Sequence, residues 1–234
     1  MDQVVTTKLL LIRHALTDWV GKRLAGRTPG LHLNEVGYAQ GEALARWLAP
    51  VSLAAIYSSP LERAIETAQP LAATHGLAVQ VLEGLGEVDC GEWAGRELDE
   101  LRKEELWAVL QIYPAGARFP GGESLRQARD RMVAALDGIR DTHPGQVVAV
   151  VSHADPIRLA VAHYAGLSLD LFQRLSIGPA SVTALAFARF GPRLLCLNCI
   201  ENLPSLVQVE GMDRMDRIPM IVGDGCPANP VIPV

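Results

Sequence analysis

Arginine and histidine stand side by side at the end of an aliphatic run near the start of the chain, in the stretch LLLIRHALTDW. Burying a charged group is costly unless it is paired or binds a ligand, so Arg13 and His14 are expected at a sheet edge or in a cleft. Two later segments have the same character: SSPLERA carries Arg63, and VSHADPIR carries His153. Guanidinium groups and helix N-termini favour anions. These residues therefore predict an anion site, and a phosphoryl group fits it better than a neutral ligand.

Short apolar runs that alternate with helical patterns predict the elements that must position these residues. Strands are predicted at 8–12, 53–57, 78–82, 147–151, 182–188 and 194–197. Helices are predicted to begin at Asn34, at Ser59 as N-cap before Pro60, at Ser124 with a capping box to Gln127, and at Asp155 as N-cap before Pro156. This βαβ alternation predicts an α/β fold with a mostly parallel central sheet and helices on both faces. Ligands of such sheets bind at the carboxyl ends of the strands, where the three segments are expected to meet.

Four segments, taken together and in this order, resemble the histidine phosphatase superfamily, the phosphoglycerate mutase-like family. They are RHALT at 13–17, SSPLERAIETA at 58–68, Glu87 shortly before GEWAG, and VSHADPIR at 151–158. Four motifs in one order are far more specific than a single motif. The resemblance implies a histidine phosphatase-like catalytic domain, which we place at 1–200. A proline-rich, irregular C-terminal tail is predicted for 201–234.

The resemblance also implies three catalytic residues: His14, Glu87 and His153. His14 is expected to attack phosphorus through a neutral ring nitrogen, giving a phosphohistidine that water then hydrolyses. Glu87 is expected to protonate the leaving oxygen. His153 is expected to stabilise the transferring phosphoryl group.

Substrate binding is assigned by the same resemblance to Arg13, Arg63 and Thr17. The two guanidinium groups are expected to hold the phosphoryl oxygens, and the threonine hydroxyl adds one more contact. The family chemistry needs no metal, and the histidines of this chain lack the spacing of a metal site. We therefore expect no cofactor.

The departures from the family pattern bear on activity. Ala15 stands where the family usually has glycine, and Asp155 replaces another glycine. The segment between the GEWAG motif and FPGGES is short and lacks the additional arginines of a mutase. The favoured function is thus metal-independent hydrolysis of a small phosphorylated metabolite by a histidine acid phosphatase-type phosphomonoesterase. A phosphoglycerate mutase-type phosphotransferase and a catalytically weak phospholigand-binding protein stay open.

The net charge and the lengths of the apolar runs indicate which kinds of partner the protein has. The net charge of −5, with no basic patch, argues against nucleic acid and acidic membrane surfaces. No signal-like segment and no apolar run of about 18 residues occurs, which predicts a cytoplasmic protein without a membrane partner. Cys196 and Cys199 fall in one predicted strand, so their side chains are expected on opposite faces rather than in a redox pair. The expected partner is a small phosphomonoester, and a homodimer stays open.

Overall fold

The structure is a computed structural model that describes residues 5–200. These residues contain six strands and six α-helices. The strands are Thr7–Arg13 (β1), Ala55–Ser58 (β2), Val79–Val81 (β3), Val147–Ser152 (β4), Val182–Ala188 (β5) and Gly191–Cys199 (β6). The helices are Glu35–Leu48 (α1), Glu62–His75 (α2), Leu98–Leu101 (α3), Glu105–Ile112 (α4), Leu125–Thr142 (α5) and Ala154–Tyr164 (α6). The predicted tail at 201–234 lies outside the described residues.

The strands form one sheet in the order β3-β2-β4-β1-β5-β6. β1, β2, β3 and β4 are parallel to their neighbours within this group, whereas β5 and β6 are antiparallel. Helices cover both faces: α1 and α2 pack on one apolar cluster through residues such as Leu44 and Leu71, and α5 and α6 pack on another through Leu136 and Ile157. The predicted α/β fold with a mostly parallel sheet is confirmed.

Of the four predicted helix caps, those of α1 and α5 are confirmed. Asn34 caps α1 by accepting a hydrogen bond from Gly37 N–H, and Ser124 and Gln127 form the predicted capping box of α5. Ser59 is not the N-cap of α2, because the helix begins at Glu62 after the N-cap residue Leu61.

Asp155 is likewise not an N-cap. The N-cap of α6 is His153, and Asp155 lies in the first helical turn. The backbone turns helical directly after the strand, so the cap position falls on the histidine of the predicted site. In both helices, a polar residue that resembles a cap in sequence has a different role.

The two cysteines of β6 correct another prediction. Cys199 pairs with Val182 and Cys196 with Ala184, with a register shift between the two pairs. Val182 and Ala184 are two residues apart on β5, so they share a face of the sheet. Their partners Cys199 and Cys196 therefore lie on that same face, and the prediction of opposite faces was wrong. At this bulge two residues of β6, Leu197 and Asn198, lie opposite Thr183 of β5, and Asn198 has a φ of 57°.

A region between β3 and α5 covers the carboxyl edge of the sheet. It contains α3, α4 and three short 3₁₀ turns, Glu83–Leu85, Gly91–Trp93 and Pro114–Gly116. These elements have their own apolar cluster, centred on residues such as Trp93, Leu101 and Phe119. No helix within residues 5–200 is long and apolar enough to span a membrane.

Candidate active site

The pairing of β1 with β4 brings the two histidines of the sequence motifs to one sheet edge. Arg13 lies opposite Ser152 in the register, and the backbone N–H of His14 donates to the Ser152 carbonyl at 2.9 Å. β2 ends beside them, since Ser59 N–H donates to the Val151 carbonyl at 2.9 Å. The chain direction of parallel strands thus places three motif segments together.

His14 is buried, with 5% of its surface exposed. Its Nδ1 lies 2.7 Å from the carbonyl oxygen of Ala15. A carbonyl only accepts, so Nδ1 carries the hydrogen and Nε2 keeps its lone pair. Burial lowers the pKa of His14 well below its usual value, and the charges of Arg63 and Arg13 lower it further. The ring is therefore neutral, the state that a histidine nucleophile needs.

The loop after His14 is anchored to α2. The N–H of Ala15 donates to Thr67 Oγ1 at 2.9 Å, and the Thr67 hydroxyl donates to the Arg63 carbonyl at 2.7 Å. Ala180 and Asn198 are the described non-glycine residues with positive φ, so Ala15 has ordinary backbone geometry. Alanine at this glycine position of the family pattern therefore costs no backbone strain.

Two buried guanidinium groups lie beside this loop with several N–H groups unpaired. Arg63 is 0% exposed, and its Nη2 donates to the Gly26 carbonyl at 2.8 Å. Arg13 Nη1 donates to the Ile177 carbonyl at 2.7 Å. Arg63 Nε and Nη1 and Arg13 Nε have no partner among the described residues. Buried charged donors without partners are costly, and a bound oxyanion would satisfy them.

His153 completes this cluster. Its ring centroid lies 5.1 Å from that of His14, and its Nε2 shares a 2.7 Å hydrogen bond with the Ser59 hydroxyl. Its Nδ1 has no partner among residues 5–200. Burial and the charge of Arg63 lower the pKa of His153 well below its usual value. Ser59, predicted as a helix cap, instead orients this histidine.

Glu87 lies next to His153 on the segment after β3. Its Oε2 is 4.0 Å from His153 Nδ1, and its Oε1 accepts from Val88 N–H at 2.9 Å. The Glu87 side chain is 15% exposed. Burial raises the pKa of Glu87 to about 7, with a further contribution from the negative charge of Asp155, while Arg63 opposes the rise. A carboxyl group with this pKa exchanges protons near neutrality, as a general acid requires.

Asp155 contributes charge rather than capping. Its Oδ1 accepts from Arg158 Nη1 at 2.8 Å, and its carboxylate acts on the pKa values of both Glu87 and Arg13. Thr17 is buried in the loop after β1, 3% exposed, and its hydroxyl has no hydrogen bond to another described residue. The predicted contact of Thr17 with substrate stays a prediction.

The structure brings His14, His153, Arg13, Arg63 and Glu87 together, as the sequence motifs predicted. It also adds two residues whose role the sequence analysis missed. Thr67 and Ser59 were both visible in SSPLERAIETA, but their hydrogen bonds cross from α2 and β2 to other elements. Only the fold reveals such partners.

Comparisons with known proteins identify the family of this chain. The sequence profile of the histidine phosphatase superfamily (branch 1) matches residues 9–200. Phosphoserine phosphatase 1 from Hydrogenobacter thermophilus is 34% identical over 183 residues, which are 76% of this chain and 85% of that protein. A probable phosphoglycerate mutase from Yersinia pestis is 29% identical over 183 residues, 77% of this chain and 85% of the other.

Solved structures lead to the same family. A mycobacterial glucosyl-3-phosphoglycerate phosphatase superposes with a TM-score of 0.76 at 26% identity, covering 83% of this chain and 99% of that one. Because the match covers most of this chain, the likeness extends beyond the four motifs. This chain belongs to the histidine phosphatase superfamily.

Proposed function

We propose that the protein hydrolyses a small phosphomonoester through a phosphohistidine on His14. One observation carries this proposal: unpaired, buried N–H groups of Arg13 and Arg63, together with the unpaired Nδ1 of His153, surround a neutral histidine. Such donors match the equatorial oxygens of a phosphoryl group, where stabilisation of charge lowers the barrier. The depressed pKa of His14 keeps the attacking nitrogen free of a proton.

The proposed reaction has two steps. In the first, His14 Nε2 forms a bond to phosphorus, the ester P–O bond breaks, and the Glu87 carboxyl gives its proton to the leaving oxygen. In the second, water attacks the phosphohistidine, the ionised Glu87 takes the water proton, and the P–N bond breaks to release inorganic phosphate. His14 returns to its neutral form, and Glu87 is protonated again.

The arginines of the region between β3 and α5 favour hydrolysis over the mutase alternative. Arg96 pairs with Glu104 at 2.7 Å, and Arg118 donates to Gln127 at 2.7 Å. Arg102 forms an ion pair with Asp99 on α3. These cations are engaged by the protein itself, which leaves them less available to hold the second phosphoryl group that a phosphoglycerate mutase must bind.

The substrate class follows from the relatives as a proposal. Their names include phosphatases of phosphoserine and of glucosyl-3-phosphoglycerate, both phosphate esters of three-carbon acids. We propose a phosphorylated three-carbon acid or its derivative for this chain. The need for a protonated Glu87 supports an acid phosphatase-type optimum, at or below neutral pH.

The test measures release of inorganic phosphate from O-phosphoserine, 3-phosphoglycerate and an aryl phosphate by wild type and His14→Ala. Wild-type turnover that disappears in the variant, with acid-labile phosphate found on His14 by mass spectrometry, is the expected result. Conversion of 3- to 2-phosphoglycerate without phosphate release would favour the mutase. Tight binding of these phosphate esters with no wild-type turnover would favour the binding protein.

A further inference from the structure

Arg131, on α5, lies outside the phosphate-binding cluster but makes five hydrogen bonds with one guanidinium group. Its Nη1 donates to the carbonyls of Gly84 at 2.9 Å and Gly86 at 2.8 Å, and its Nη2 donates to the carbonyl of Glu87 at 2.9 Å. Its Nε and Nη2 also reach both carboxylate oxygens of Glu123, at 3.1 and 2.7 Å. Arg131 thereby holds the backbone of the segment that carries Glu87.

Glu123 holds the same segment two residues further on. Its Oε1 accepts from the backbone N–H of Asp89 at 2.9 Å, and its own N–H donates to the Asp89 carbonyl at 3.0 Å. Arg27 adds a hydrogen bond from its Nε to the Glu87 carbonyl at 2.9 Å. The backbone on both sides of Glu87 is thus fixed to α5 and to Glu123, two residues before the helix begins.

The packing of this segment on α5 is close enough to need glycine. A Cβ on Gly84 would lie 2.8 Å from the Cβ of Ala135, a distance that real side chains do not tolerate. On the β4 side, the hydroxyl of Ser152 donates to the Leu85 carbonyl at 2.7 Å. The segment is therefore held between α5 and the end of β4, next to His153.

The carboxyl group of Glu87 has little support of its own. Its recorded hydrogen bond runs to the N–H of the adjacent Val88, and His153 lies beyond hydrogen-bond distance at 4.0 Å. Its location relative to His14 depends on where the backbone is held. A misplacement of about 1 Å in a reacting group lowers the rate by about 10²-fold.

We infer that Arg131, bridged by Glu123, is a positioning residue that sets the Glu87 carboxyl at the leaving-group oxygen. This inference rests on the proposed role of Glu87 as general acid. The five hydrogen bonds of Arg131 engage its guanidinium N–H groups within the protein, so Arg131 is not assigned to substrate binding. It acts through three backbone carbonyls, and its planar fork suits this task better than the single ammonium of lysine.

Two substrates that differ in their leaving group distinguish a misplaced Glu87 carboxyl from a general loss of active-site structure. An alkyl phosphate such as glycerol 2-phosphate needs a proton on its leaving oxygen, whereas 2,4-dinitrophenolate leaves without one. The quantity to compare is kcat/KM, which reports the first irreversible step, transfer to His14. For Arg131→Met, we expect a loss of about 30- to 100-fold with the alkyl ester and less than about 3-fold with the dinitrophenyl ester.

Three further variants complete the experiment. Arg129→Met removes a neighbouring arginine of α5 that pairs with Asp130 instead, and it is expected to leave both rates unchanged. Arg131→Lys keeps the charge but not the fork, and Glu123→Gln keeps the size but not the charge. In both variants, kcat/KM is expected to fall more with the alkyl ester than with the dinitrophenyl ester, but by less than in Arg131→Met. These two variants test the inference if Arg131→Met does not fold.

The outcomes separate the inference from the function on which it depends. An equal loss with both esters, or no loss with either, in Arg131→Lys and Glu123→Gln would overturn the positioning role. Glu87→Gln is the reference, because it removes the proton itself. If Glu87→Gln shows no contrast between the esters, the acid assignment is wrong. If it shows the contrast and the Arg131 and Glu123 variants do not, the positioning role alone is wrong.

Discussion

The ring centroids of His14 and His153 lie 5.1 Å apart, and the two ring planes are inclined by 57°. The contact exists because His14 follows β1, His153 follows β4, and these strands pair in parallel. Both rings are buried beside Arg63, and burial is the main cause that lowers both pKa values. The pair is therefore neutral, so one ring can attack phosphorus and the other can donate a hydrogen bond from a ring N–H to a phosphoryl oxygen.

Replacement of the nucleophile should abolish turnover without loss of the fold. For His14→Ala, we expect kcat to fall by about 10⁴-fold or more, since no other described side chain takes the place of Nε2. Phosphate release and circular dichroism measure activity and fold. His143→Ala, which removes the Tyr57 hydrogen-bond partner at the opposite end of β4, serves as a control with its turnover retained. Full activity in His14→Ala would mean that the nucleophile is another residue.

Loss of one phosphate ligand should affect turnover strongly. Arg63→Met removes Nε and Nη1, the two unpaired donors, and we expect kcat/KM to fall by about 10²- to 10³-fold. Inorganic phosphate should also inhibit this variant less than the wild type, measured as a higher inhibition constant. Arg140→Met, which breaks a partly exposed ion pair with Asp137, is the control. Equal inhibition constants in Arg63→Met and wild type would remove Arg63 from the phosphate site.

The pH dependence should reveal Glu87. Its pKa is raised to about 7, so the protonated acid is present below that pH and is lost as the pH rises through it. We therefore expect kcat/KM with an alkyl phosphate to fall on the alkaline side of neutrality. Glu87→Gln should lack this limb, because the amide does not titrate.

Asp155 gives an independent test of the same titration. Its carboxylate disfavours the ionised form of Glu87, so Asp155→Asn should lower the pKa of Glu87 and move the alkaline limb to lower pH. Release of Arg158 from its ion pair acts in the same direction. The ionisation of the substrate is common to both proteins, so the difference between their pH profiles isolates the enzyme. An alkaline limb at the same pH in both proteins would contradict the influence of Asp155.

Two glycines of α1 offer a matched pair for stability. A Cβ on Gly37 would lie 2.1 Å from the carbonyl oxygen of Leu16, in the loop that follows His14. Gly37→Ala should therefore push this loop away and destabilise the protein by about 1–3 kcal/mol, with reduced activity. A Cβ on Gly41 meets its nearest neighbour, Pro70, at 3.7 Å. Gly41→Ala should stabilise the helix by up to about 1 kcal/mol, and urea unfolding of both variants measures the difference.

The fold class, the family and the residues that gather at the sheet edge could all be predicted from the sequence. Alternating apolar runs predicted the strands, and local hydrogen-bonding patterns predicted the starts of α1 and α5. These features depend on neighbours in the chain, so a linear pattern contains them. The same local reading was wrong for Ser59, whose hydroxyl bonds His153 of another segment, and for Asp155, because α6 begins before it and its carboxylate pairs with Arg158 in the first turns.

The tertiary structure decided the chemical state of the site. The neutral form of His14 depends on burial and on Arg63, and the raised pKa of Glu87 depends on burial and on Asp155. These groups come from four separate elements, and charge interactions depend on distance in space rather than along the chain. Arg131 shows the same limit: nothing near it in sequence indicates that its guanidinium holds three carbonyls of another segment. Sequence identified the reacting groups, and the packing of the sheet and α5 fixed their protonation and position.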